Sequence, residues 1–177
     1  DPADPTAYVR HVRSLVGDRD AVALLAAAPE RVAEAVAGLT EADARTAPRP
    51  GAWSVLQILR HLADSEIVYG YRIRLILAAD RPAIPGYDQD AWAGALAYHR
   101  GTVADALADY AAGRRMTMAL LGALPDDVWD RYGVHSERGH ESVRDIATLL
   151  AGHDLNHEGQ IARTRGALQY DDTSSGA

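Results

Sequence analysis

The segment "GHDLNHEG" (152–159) sets His153 and His157 four residues apart. Four residues is little more than one helical turn, so in a helix both imidazoles leave on the same side. Around them Val143, Ile146, Leu150, His153, His157, Gln160 or Ile161, Thr164 and Leu168 recur at steps of three and four. The histidines therefore occupy the apolar stripe of a core-facing helix. A polar group buried without a partner costs about 1–3 kcal/mol, so the pair needs partners. Two readings satisfy that need: a hydrogen-bonded pair of core histidines, or half of a metal site.

A third imidazole favours the second reading. His61, in "LRHLADSE", lies about 60° from Ile58 and about 40° from Ser65 at the helical rotation of about 100° per residue. That is the margin of another apolar stripe, from which the ring can reach inward. One inward histidine on one helix and two on another converge as a three-nitrogen site with an open coordination position. Cysteine is absent, which excludes disulfides, a Cys nucleophile, thiolate-bound zinc, iron–sulfur clusters and c-type haem attachment. With nitrogen and oxygen ligands alone the site suits Zn²⁺, Ni²⁺, Fe²⁺ or Mn²⁺.

The other chemistry-bearing residues are weaker candidates. His11, His99, His135 and His140 are expected at the surface or anchoring loops. "ERGH" (137–140) has the Glu-x-x-His spacing of di-iron bundles, but it contains Gly139 and precedes a helix cap. The inward stripes also lack the carboxylates that a di-iron site requires. Asp64 and Glu66 neighbour His61 in sequence; they either orient it as a ligand or sit on solvated helix surface. Trp53, Trp92 and Trp129 fall near element boundaries and are expected to pack there. No general base is assigned.

The elements that must position these groups are helical. Residues 6–38 have helical composition, broken near "GDRD" (17–20) and at Pro29, which suits a first helical position. "RTAPRPGA" (45–52) is a turn-rich connection. Ser54 and Gln57 form a capping box ahead of Val55, Ile58, Leu62, Tyr69, Ile73 and Ile76, a second helix reaching about Ala79. Thr102 with Asp105 opens a third helix, and Ser142 with Asp145 a last one over 143–168. The spans 80–101 and 124–141 are expected to be long irregular connections, with no strand alternation anywhere. An all-α fold follows: a four-helix bundle of antiparallel type with long connections. It is expected as a single domain over 1–177, with a core of roughly 20–168 and a flexible tail at 169–177.

The net charge of −7, with no basic cluster, argues against nucleic acid as a partner. All 18 cationic side chains other than histidine are Arg, so Schiff-base chemistry is excluded. No apolar run approaches the roughly 18 residues of a membrane span. The start "DPADPTAYVR" carries no signal-peptide pattern. The expectation is a cytoplasmic protein acting on a small molecule, with no membrane contact.

With "WSVLQILRHLADSE" and "LLAGHDLNHEGQIAR" together, the chain resembles the DinB-like superfamily, which includes YfiT-like metal-dependent hydrolases and thiol-dependent S-transferases. The likeness lies in the Trp-Ser helix opening, the His seven residues on, and the late His-x-x-x-His before Gln-Ile. It covers roughly residues 20–168. It implies a four-helix bundle with a divalent-metal site formed by His61, His153 and His157, and a homodimer. It also implies one of two activities. In the first, the metal activates a low-molecular-weight thiol of the bacillithiol or mycothiol type for attack on an electrophile; in the second it assists hydrolysis. The alternative is a non-catalytic, stress-associated binding protein with a stabilising metal.

Overall fold

The computed structural model describes the backbone of residues 5–174 and the side chains of 6–168. Helices α1 (Pro5–Val16) and α2 (Ala21–Val36) are followed by a short α3 (Glu41–Arg45) and a long α4 (Val55–Ala78). Strand β1 (Ala83–Ile84) and helix α5 (Gln89–Ala95) lead to α6 (Val103–Gly122). A hairpin of β2 (Tyr132–His135) and β3 (Gly139–Ser142) then precedes α7 (Val143–Ser174). The bundle is built from α2, α4, α6 and α7. Helices α2 and α4 each pack against both α6 and α7, which places α2 opposite α4, and α1 lies along α7.

The helix starts follow their capping residues. The Ser54 and Gln57 side chains bond reciprocally to backbone N–H groups at the start of α4, at 3.4 and 2.9 Å. Ser142 and Asp145 do the same for α7, both at 3.0 Å. At α6 the Thr102 hydroxyl accepts from the Asp105 N–H at 3.1 Å. Such caps satisfy donors that the first turn otherwise leaves unpaired.

Three expectations are corrected. Pro29 does not begin a helix; it lies inside α2, whose cap is Asp20. A proline there leaves the carbonyl four residues earlier without its helical donor. That carbonyl is Leu25, and the buried Arg114 guanidinium bonds it at 2.9 Å. The interruption is thus absorbed by a tertiary bond.

Second, the fold is not strand-free. β1 pairs parallel to β2, and β2 pairs antiparallel to β3. Strands of two and four residues are too short for alternation to register in the sequence. The sheet needs Gly133, since a Cβ there would sit 2.7 Å from the Ile84 side chain and 2.8 Å from the Pro82 carbonyl. It fuses the connections 80–101 and 124–141, expected to be irregular, into one wall. Third, α7 continues as helix through Ser174, past the expected end at 168. Residues 175–177 of the expected flexible tail lie outside the described residues.

The core is divided. One apolar cluster gathers Val12, Leu25, Ile73, Ile76, Leu121, Ile146 and Leu150. The other gathers Ala28, Val32, Leu56, Leu59, Ala106, Tyr110 and Ile161. Between them on α4, α6 and α7 lies a buried polar belt: His61, Ser65, Glu66, Arg114, Thr117, His153, Asp154 and His157. No described helix is long and apolar enough to cross a membrane.

Candidate metal centre

The belt brings the three sequence-selected histidines together. His61 on α4 is 0% exposed; His153 and His157 on α7 are 4% and 7%. One ligand nitrogen from each lies within 4.8 Å of the other two. Nε2 of His61 is 2.9 Å from Nε2 of His153. The ring centroids are 4.4–5.0 Å apart. Trp53, immediately before the α4 cap, holds its indole 5.0 Å from the His61 ring.

Burial keeps two of these rings, His61 and His157, neutral. Burial, reinforced by His153 and His157, holds His61 well below the usual histidine range. Burial, with His153 beside it, lowers His157 to about 3. A neutral imidazole offers one lone pair, and its partner decides which nitrogen carries it. His157 Nδ1 stands 2.7 Å from the Gln160 amide oxygen. That oxygen can only accept, so Nδ1 holds the proton and Nε2 is left with the lone pair that can ligate a metal. Gln160, three residues on along the same helix, is thus the residue that orients His157.

The carboxylates near His61 do something else. Asp64 accepts from the Tyr98 hydroxyl at 2.5 Å. Glu66 accepts from Arg114 and, at 2.6 Å, from Thr117. His61 Nδ1 has no partner, so neither acid orients it. Arg114 also donates to Asp154 at 2.7 Å. Burial acts to raise the Asp154 carboxyl, but Arg114 and His153 outweigh it and hold the group below its ordinary value. Asp154 Oδ1 lies 4.0 Å from His153 Nδ1, beyond hydrogen-bond range, and neither atom has another partner. Arg114 and Asp154 went unrecognised in the sequence, where a charge on a helix signals solvent.

The remaining histidines stand apart from the cluster. His99 is exposed, and His140 stacks on Tyr132 at 4.0 Å. His135 is buried in β2, where Nδ1 accepts from the Glu137 N–H at 3.1 Å, so it anchors the hairpin turn. The "ERGH" segment is hairpin rather than helix. His11 pairs with Asn156 at 3.3 Å.

His153 and His157 form part of the wall of a cavity of about 660 Å³. Tyr8 and His11 of α1, Tyr69 and Arg72 of α4, Tyr87 before α5, and Arg138 of the hairpin also line it. Three buried imidazoles without competing thiolates fit a divalent ion of borderline softness. The orphaned polar atoms around them fit an ion-centred site better than a sealed core.

The structure defines the class: a four-helix bundle with convergent imidazoles bordering a cavity. The comparisons give that class its family. The DinB superfamily profile matches residues 24–161, and the chain belongs to that superfamily. A "putative metal-dependent hydrolase" of Oceanobacillus iheyensis is 27% identical over 132 residues, covering 74% of this chain and 75% of the relative. The "putative metal-dependent hydrolase YfiT" of Bacillus subtilis is 37% identical over 71 residues, 40% of each chain. The solved structure of YfiT, described as "a probable metal-dependent hydrolase with an unusual four-helix bundle topology", matches with a TM-score of 0.73. It has 27% identity and covers 82% of this chain and 86% of that one.

Proposed function

We propose that His61, His153 and His157 hold a divalent metal ion and that the chain is a metal-dependent enzyme of small-molecule chemistry. The observation that carries this is the convergence of three buried imidazoles beside the cavity. A bound ion supplies Lewis acidity, which turns a thiol or water into a nucleophile at neutral pH. The chain's part is to hold His61 and His157 uncharged, to fix the His157 tautomer through Gln160, and to shape the cavity.

The leading reading is transfer of a low-molecular-weight thiol to an electrophile. The chain has no Cys of its own, and about 660 Å³ leaves room for two reactants. Hydrolysis is the second reading, favoured by the names of the relatives.

The test is metal content by plasma mass spectrometry on tag-free protein, beside His61→Ala and His153→Ala. About one divalent ion per chain, lost in both variants, is expected for a three-histidine site. A protein that also refuses added Zn²⁺, Ni²⁺ and Mn²⁺ overturns the reading. Parallel thiol-conjugation and ester-hydrolysis assays on the loaded protein then separate the two reactions.

A further inference from the structure

His61, Ser65, Tyr69 and Arg72 step by four, four and three along one face of α4. The last two line the cavity. Arg72 is only 3% exposed, yet among the described residues no carboxylate forms an ion pair with it. Its guanidinium donates to the Pro85 carbonyl at 3.0 Å. It lies 5.4 Å from the Tyr69 ring and 5.9 Å from the Tyr87 ring. A guanidinium stays charged under all physiological conditions. One neutral carbonyl and two aromatic faces leave much of its desolvation uncompensated. The other cavity cation, Arg138, is already held by Glu141 through two bonds of 2.5 and 3.1 Å.

We propose that Arg72 is a carboxylate-binding residue of the cavity, receiving the anionic end of a small ligand whose other end faces the histidines. This rests on the reading that the cavity is the substrate site. The missing counter-charge of Arg72 can arrive by way of the cavity that the residue lines. Tyr69 links the two positions, with its ring 6.0 Å from the His153 ring. Asp88, Asp90 and Glu137, exposed along the same cavity, repel multiply charged anions. They select a monocarboxylate over a phosphate ester. A mercapto acid meets both requirements, with a carboxylate for Arg72 and a sulfur for the histidine end.

The test compares 3-mercaptopropionate with its neutral isostere 3-mercaptopropanol by calorimetry, on metal-free protein. Wild type is expected to bind the acid at least about tenfold more tightly, the scale of one charge-assisted bond pair. Arg72→Gln is expected to erase that preference without changing affinity for the alcohol. Arg72→Lys, which keeps the charge but loses the fork, should fall between them. His153→Ala, also metal-free, should retain the preference, so failure of the metal reading leaves this result standing. As a check that needs no altered fold, propionate should shift the Arg72 Nε–H resonance of wild type. Absence of any acid preference in wild type, its persistence in folded Arg72→Gln, or an unmoved Arg72 resonance overturns the proposal.

Discussion

His61 Nε2 and His153 Nε2 stand 2.9 Å apart across 92 residues of chain. Without an ion, one nitrogen donates and the other accepts, so the pair shares one proton. The two rings meet through Nε2, and His157 closes the triangle. The Nδ1 atoms of His61 and His153 stay without a partner, and the three rings are convergent enough to bind metal.

Metal addition should therefore stabilise a protein that is already folded. At free Zn²⁺ of 100 times Kd, linkage adds about 2.7 kcal/mol. For a domain of this size that raises Tm by roughly 5–10 °C. His153→Ala should show no such rise. Calorimetric melts with and without Zn²⁺ check both statements.

Metal-free protein should lose stability as pH falls below the ordinary histidine range. His157 is lowered to about 3, and His135 to about 4 by burial and the Arg138 charge. In the unfolded chain both take a proton near pH 6.5. Below that value the unfolded state binds more protons, and each such histidine costs about 1.4 kcal/mol per pH unit. The loss continues until the native pKa is reached. His135→Asn should flatten the pH–Tm curve between pH 6.5 and 4 while leaving metal content unchanged.

Arg114 should be among the most sensitive positions outside the histidines. Its removal strands Glu66 and Asp154 as buried carboxylates, so Arg114→Met should cost about 3–5 kcal/mol in urea unfolding. It also strips the Leu25 carbonyl of its donor. Pro29→Ala restores a helical N–H to that carbonyl. Its stabilising effect should be larger in the Arg114→Met background than in wild type, by about 1 kcal/mol.

Gly152 should not tolerate a side chain. A Cβ there would lie 2.2 Å from the Val12 carbonyl oxygen, so Gly152→Ala must push α1 away from α7. The expected cost is about 1–3 kcal/mol, as for other overpacked sites. Because Tyr8 and His11 of α1 line the cavity, ligand affinity should fall with stability.

The bundle was legible because its helices announce themselves locally. Ser54–Gln57 and Ser142–Asp145 are contiguous signals, and the apolar steps around His61, His153 and His157 point all three rings inward. The sheet was not legible, because β1 has two residues and pairs with a strand some fifty positions away. Pro29 misled because the rule for a helix-breaking residue is local, whereas its remedy comes from Arg114 on another helix. The buried charges Arg72, Arg114 and Asp154 share that difficulty. Each looks like a solvated helix residue until the facing element is known.

Trp53 gives the site an optical voice. Its indole is 5.0 Å from the His61 ring, close enough for emission to respond to that ring's protonation, its loss of a neighbour or its capture by an ion. Quenching by a paramagnetic ion such as Ni²⁺ should be strong at this separation and weak for tryptophans elsewhere. Replacing Trp92 and Trp129 would leave Trp53, beside the histidines, as the single tryptophan. Occupancy of the cavity core could then be followed in real time without an external label.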